Sequence, residues 1–227
     1  YNKNIDIENM RCYMSNLIKI QKPKFIDEPE MINDIYEEVI ISEKIQNKII
    51  ENELIENKEG TGITIDSCIF KNVVFDNCTL KNIDLLDTTF ENCDLSNIDF
   101  SGGSLMRVEF INCKLLGAKF DESNLKHVLF KDSLSKYSNF SFSKFNSVNI
   151  INCNFEEAVF QQVKLDKTTF NDTNLINTFF NKTILNKIDF TTCEIEGISV
   201  EISDIRGAIV TPIQGLDLTR LIGLVIQ

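Results

Sequence analysis

Seven cysteines, a single histidine and a surplus of carboxylates are the groups from which this 227-residue chain could build chemistry. Seven is an odd number, and no two cysteines are spaced as CxxC. Neither a disulfide framework nor a zinc site is expected, and a reducing, cytoplasmic setting fits better. Cys93, Cys113, Cys153 and Cys193 recur at multiples of twenty, with Ser133 and Thr173 between them. A metal or redox ladder is one reading; buried, inert thiols filling a slot for small side chains is the stronger one. With His127 as the sole histidine, the chain cannot assemble a Ser-His-Asp or Cys-His unit by itself. HExxH, Walker and dinucleotide fingerprints are absent. Glu156 and Glu157 are adjacent carboxylates, but on a convex surface they enclose no pocket. No catalytic, metal-ligating or cofactor-binding residue is therefore expected, and the chain is not expected to be an enzyme.

The elements that carry these residues follow from one period. From Ile65 to Ile205, 28 of the 29 positions divisible by five are Ile, Leu, Val or Phe, and Ser135 is the exception. Fourteen of the seventeen phenylalanines stand there. The position two residues earlier is small and uncharged and holds six of the seven cysteines. The position two residues later is rich in Asn, Asp and Gly. An α-helix turns through 500° in five residues and would smear such a pattern around its axis, and a strand repeats every two. A chain that turns a corner every five residues fits. The large and small residues then point inward, and Asn, Asp and Gly take the left-handed geometry of the corner. Four corners close a square coil of twenty residues. Phe70, Phe90, Phe110, Phe130, Phe170 and Phe190 then stack on one side, and Phe100, Phe120, Phe140, Phe160 and Phe180 on the opposite one, with Leu and Ile filling the other two. At about 4.8 Å per coil, roughly seven coils from 63 to 207 make a rod of about 35 Å.

Segments such as Cys93-Asp94-Leu95-Ser96-Asn97, Ile98-Asp99-Phe100-Ser101-Gly102 and Ser123-Asn124-Leu125-Lys126-His127 resemble the pentapeptide repeat family. The resemblance covers about 145 residues. It implies an all-β fold, a right-handed quadrilateral parallel β-helix with a short C-terminal α-helix and an N-terminal cap or arm. The expected division is a partly helical cap or arm over 1–37, a pentapeptide repeat β-helix over 38–208 that is degenerate from 38 to 62, and a capping or dimerisation helix over 209–227. In the degenerate stretch Glu43, Lys48 and Glu53 would point inward, where unpaired charge is costly. A helix on Ile41, Ile45 and Ile49 is the rival reading. An amphipathic stretch, Ile7 to Ile20, belongs to the arm. In the tail, Pro212 suits the start of a helix and Gly223 its end. Leu218, Leu221, Ile222 and Val225 form an apolar stripe to cover the open coil or a second subunit.

Net charge is −11, which disfavours direct contact with nucleic acid or an anionic membrane. No run of eighteen apolar residues is present, and the opening residues lack the apolar core of a signal peptide. The tail is similar to that of Qnr- and MfpA-like members of the family. The resemblance implies a DNA-mimicking homodimer, joined through the C-terminal helix, that binds DNA gyrase or topoisomerase IV and protects against fluoroquinolones. The alternative is a general protein-interaction scaffold. Mimicry asks for rows of carboxylates. One face, with Asp76, Asp94, Lys114, Lys136, Glu156, Glu157, Glu194 and Glu196, is acidic at both ends and basic in the middle. Another, with Lys126, Lys144, Lys164, Lys167 and Lys187, is basic. Around Ser135, a bent or bulged coil is expected to push Leu134 and Tyr137 outward. The surface-recognition candidates are thus Leu134, Tyr137, Glu156, Glu157, Glu194 and Glu196.

Overall fold

The computed structural model describes residues 17–25 and 27–224. Cys12, Val225 and most of the Ile7–Ile20 stretch lie outside them. Within the described residues the chain winds as a solenoid of parallel strands. Each residue pairs with the one twenty positions on: Leu85, Leu105, Leu125, Phe145 and Leu165 in one row, Phe90, Phe110, Phe130, Ile150 and Phe170 in another. The four sides are named here by their inward residue. Side one carries Phe90, side two Leu95, side three Phe100 and side four Leu105. Five eight-residue strands, Asp84–Glu91, Ser104–Ile111, Asn124–Lys131, Lys144–Ile151 and Lys164–Asn171, run unbroken from side four into side one.

The corners carry the sequence signal most directly. Every fifth residue from Asn47 to Lys187 has a positive φ, and Gly197 and Gly207 resume the series. Left-handed backbone costs an ordinary L-residue roughly 1–2 kcal/mol and costs Gly or Asn less, which accounts for the Asn and Gly that fill most corners from Asn47 to Gly117; from Glu122 to Lys187 charged and other side chains take most of them. At the corner between sides one and two the amides also bond to each other. Asn72 donates to Asn52 at 2.9 Å, Asn92 to Asn72 at 3.3 Å and Asn112 to Asn92 at 2.7 Å.

Inside, stacked rings lie 4.8 to 5.1 Å apart along Phe70, Phe90, Phe110 and Phe130, and 4.9 to 5.0 Å apart along Phe120, Phe140 and Phe160. The two ladders meet edge to face, as at Phe130 and Phe140, 5.9 Å apart at 89°. Offset stacking and edge contacts are the favoured aromatic geometries. The small position is more than filler. Its hydroxyls and thiols donate to the carbonyl 23 residues earlier, as in Thr178 to Phe155 at 2.9 Å and Cys113 to Phe90 at 3.4 Å.

Ser135 does not bulge the coil. It is fully buried, and its amide keeps the regular bond to the Asn154 carbonyl at 2.7 Å. The room it leaves is taken by Phe155, one coil on. That ring reaches Phe130 at 6.0 Å and Phe140 at 5.8 Å, the residues flanking Ser135 in its own column. Leu134 and Tyr137 are exposed because the ordinary register points them outward.

Both ends are closed. The first coil begins at Lys44 rather than at 38, and Lys44–Gln46 pairs with Thr64–Asp66. Tyr36–Ile41 instead form a π-helical turn that lowers Val39 into the open end. Of the charges expected inward, Glu43 is exposed and Lys48 and Glu53 are half-buried, while Lys58 is buried. Lys48 pairs with Glu38 at 2.9 Å, and the Lys58 ammonium donates to the carbonyls of Ile40 and Ser42. At the other end, helix α1 (Pro212–Leu218) starts with a capping box between Thr211 and Gln214. Gln214 also donates to the last-coil carbonyls of Phe190 and Cys193, each at 2.8 Å, and Arg220 to that of Ile198 at 2.5 Å. Leu218 and Leu221 pack on the core, whereas Ile222 faces outward. Residues 17–25 lie against the outside of the rod as an arm. Ile18 exchanges hydrogen bonds with the Asn149 side chain at 3.1 and 2.8 Å, and the Lys24 amide donates to Asp87 at 2.8 Å.

Candidate interaction surface

Cys68, Cys78, Cys93, Cys113, Cys153 and Cys193 are buried and unbridged. Burial pushes the Cys68 and Cys193 thiols up to about 11 and Cys153 up to about 12, so they stay protonated at neutral pH. His127 stands at a corner with φ 56°. Burial, then the charges of Lys126, Arg107, Lys167 and Lys24, lower its pKa. Among the described residues, no three His, Cys, Asp or Glu side chains converge as a metal would require, and no helix is long and apolar enough to cross a membrane.

Leu134, Tyr137, Glu156, Glu157, Glu194 and Glu196 all fall on side two or on its corner with side three. A bridged row climbs that side through Lys114, Leu134, Asn154, Asn174 and Glu194. Two of its carboxylates are paired in place. Lys114 lies 3.3 Å from Asp94, and Lys136 lies 3.0 Å from Glu156 and 5.4 Å from the Tyr137 ring centre. Glu194 and Glu196 are exposed at the far end.

Sequence reasoning passed over two members of this surface. Phe142 occupies the next corner and is 50% exposed, beside Tyr137 at 55%. These are the only Tyr or Phe corners among the described residues, with φ 63° and 62°. Between them and beyond lies side three, where Asn139, Val159 and Phe179 form one bridged row and Phe179 is 43% exposed. Residues 138–142, 158–162 and 178–181 contain no charged side chain. The available signal was an apolar residue in the column otherwise kept for polar corners.

A left-handed square solenoid corner every five residues, parallel coils in a register of twenty and an aromatic core define a right-handed quadrilateral β-helix. Two family models, pentapeptide repeat region over residues 63–140 and pentapeptide repeats over 153–191, match the chain. It belongs to the pentapeptide repeat family. Comparison with curated proteins yields no match. Among solved structures, the trypsin-treated plasmid-mediated fluoroquinolone resistance protein QnrB1 is 19% identical, with 79% of this chain and 99% of that one covered and a TM-score of 0.43. HetL, involved in heterocyst differentiation regulation in the cyanobacterium Nostoc, is 12% identical over 73% of this chain and 86% of that one, with a TM-score of 0.40. A pentapeptide repeat protein of the Arabidopsis thaliana thylakoid lumen is 27% identical over 46% and 69%, with a TM-score of 0.34. At these scores the likenesses carry no argument about function.

Proposed function

We propose that this chain is a non-catalytic rod that binds a protein partner across the Tyr137 corner, with Leu134, Tyr137, Phe142 and Phe179 as anchors. One observation carries the reading: two bulky aromatic residues sit in left-handed corners where Asn or Gly would be cheaper, and both face water. Stability does not select such residues. Interfaces are enriched in exposed aromatics and depleted of charge at their centre, as side three is between Ser138 and Asn181. Lys136 and Glu156 would form the polar rim. The test is affinity capture with the wild-type chain against the Tyr137→Asn/Phe142→Asn variant. A set of bound proteins unchanged by the double substitution would sink the proposal.

A gyrase- or topoisomerase IV-binding DNA mimic is the narrower alternative. The net charge of −11 favours it, while the Asp94–Lys114 and Lys136–Glu156 pairs interrupt the carboxylate rows it needs. A supercoiling assay with and without a fluoroquinolone separates the two, since a general scaffold neither inhibits the enzyme nor rescues it. The C-terminal end suits a second copy of the chain. Ile213 is 80% exposed, and Leu216, Ile222 and Leu224 are exposed around it. Ile213→Glu/Ile222→Glu should halve the mass seen by light scattering, and an unchanged mass argues against this contact.

A further inference from the structure

Side four separates its charge from the rest of the rod. On the other three sides Lys71, Lys81, Lys114, Lys119, Lys131 and Lys136 each lie within 3.0 to 3.8 Å of a carboxylate. Side four and its corners carry Lys126, Lys144, Lys164, Lys167, Lys182 and Lys187. All six are exposed, and none has an ion pair among the described residues. Lys144 and Lys164 are register partners on neighbouring strands, a like-charge juxtaposition that works against folding. Within residues 122–127, 142–147, 162–167 and 182–187 the carboxylates are Glu122, at the first corner, and Asp166, and Asp166 accepts from Asn146 at 3.2 Å.

The second observation is apolar. Ile184 is 69% exposed, the most exposed large apolar residue of the coils, and stands between Lys182 and Lys187 on the strand path after Lys164. Ile202, 49% exposed, continues the corner column of Lys182. The patch is four coils tall, about 15 Å from first to last coil at roughly 4.8 Å each. Its first three coils are parallel strands, and residues 182–187 continue the same path as turns.

We propose that side four between Lys126 and Lys187 is a docking plane for an anionic lipid surface, with Ile184 and Ile202 entering the headgroup layer. A row of lysines beside protruding aliphatic side chains is the pairing that holds proteins at charged bilayers. A nucleic acid backbone has no use for Ile184. Between Lys126 and Lys187 the patch holds no arginine fork to grip phosphate or a base edge, and Arg206 stands one coil on, in the coil of Ile202. The acidic remainder of the molecule does not cancel the attraction, because charges beyond about 8 Å are screened at physiological salt.

The test is co-sedimentation of the full chain with phosphatidylcholine vesicles, with and without phosphatidylserine. Binding is expected only with phosphatidylserine, and raised salt should abolish it. The variant Lys144→Gln/Lys164→Gln/Lys167→Gln/Lys187→Gln should lose at least about 100-fold in affinity, whereas Lys71→Gln/Lys114→Gln/Lys119→Gln/Lys136→Gln should bind as wild type. Ile184→Ser, which leaves the charge intact, should weaken binding about 10-fold. It supplies a readout should the quadruple variant melt early. No binding to phosphatidylserine vesicles at low salt overturns the proposal. So does equal loss in both quadruple variants, or tighter binding to a duplex oligonucleotide at the same salt.

Discussion

Two stretches of the rod share a backbone and differ in what they place on it. In residues 92–117 side two places Leu95 and Leu115 inward, and five of the six corners from 92 to 117 are Asn or Gly, with Arg107 the sixth. In residues 132–142 the matching inward position is Ser135, and two corners are Tyr137 and Phe142. Hydrogen bonds and φ values are nearly the same in both. The periodic backbone therefore tolerates exceptions, provided that a lost interior volume is refilled from the next coil and an expensive corner is acceptable. The first stretch reads as built for stability, the second as bearing a surface that stability alone would not choose.

The largest effect should come from undoing the refilled volume. Phe155→Ala should cost about 3–5 kcal/mol, and Ser135→Leu alone about 1–3 kcal/mol through overpacking. The pair Ser135→Leu/Phe155→Leu restores the pattern of the regular stretch and should cost far less than the sum of its single changes. Additive losses of melting temperature would show that the two sites are not coupled. Next comes the regular corner. Asn92→Ala removes a donor to Asn72 and an acceptor for Asn112 and should cost about 1–2 kcal/mol. The aromatic corners should respond in the opposite direction. Tyr137→Asn and Phe142→Asn should each gain about 0.5–1 kcal/mol, and a lower melting temperature would mean that these rings stabilise the fold. The smallest effect concerns Asp99. Burial would raise its pKa, but the Ser101 hydroxyl and amide, with Lys119 and Lys81, hold it below the ordinary value of 3.8. A depressed folded-state pKa gives stability that is present above the unfolded value and is lost as pH falls through the folded one. The melting temperature of Asp99→Asn should thus fall less than that of wild type below pH 3.8, and parallel curves would refute the assignment.

The fold was legible because each structural demand is imposed once per five residues and repeated dozens of times. A bulky apolar residue, a small one and a left-handed corner cannot be confused with helix or strand patterning. Which surface groups share a side followed from counting by twenty, so the two acidic and basic faces were visible as well. Less visible was what depends on single contacts. The thiol and hydroxyl donors of the small position look like filler until the carbonyl 23 residues back is found. Ser135 suggested a bulge because its compensating ring, Phe155, is one coil away. The arm is fixed by Asn149 and Asp87, whose partners lie 131 and 63 residues distant in the chain, and no local pattern encodes such a meeting. Ion pairing of individual lysines, which sets side four apart, also depends on rotamers that a column of letters does not contain.

The register of twenty has an evolutionary consequence. Deleting one five-residue unit would leave every interior position filled by the same kind of side chain, yet swing everything downstream by a quarter turn. The Lys144–Lys187 patch would then move from its present azimuth to a neighbouring one without any change in its own residues. A lineage of such rods can rearrange which surfaces face together by small in-frame losses and gains, long before any point mutation alters a binding group.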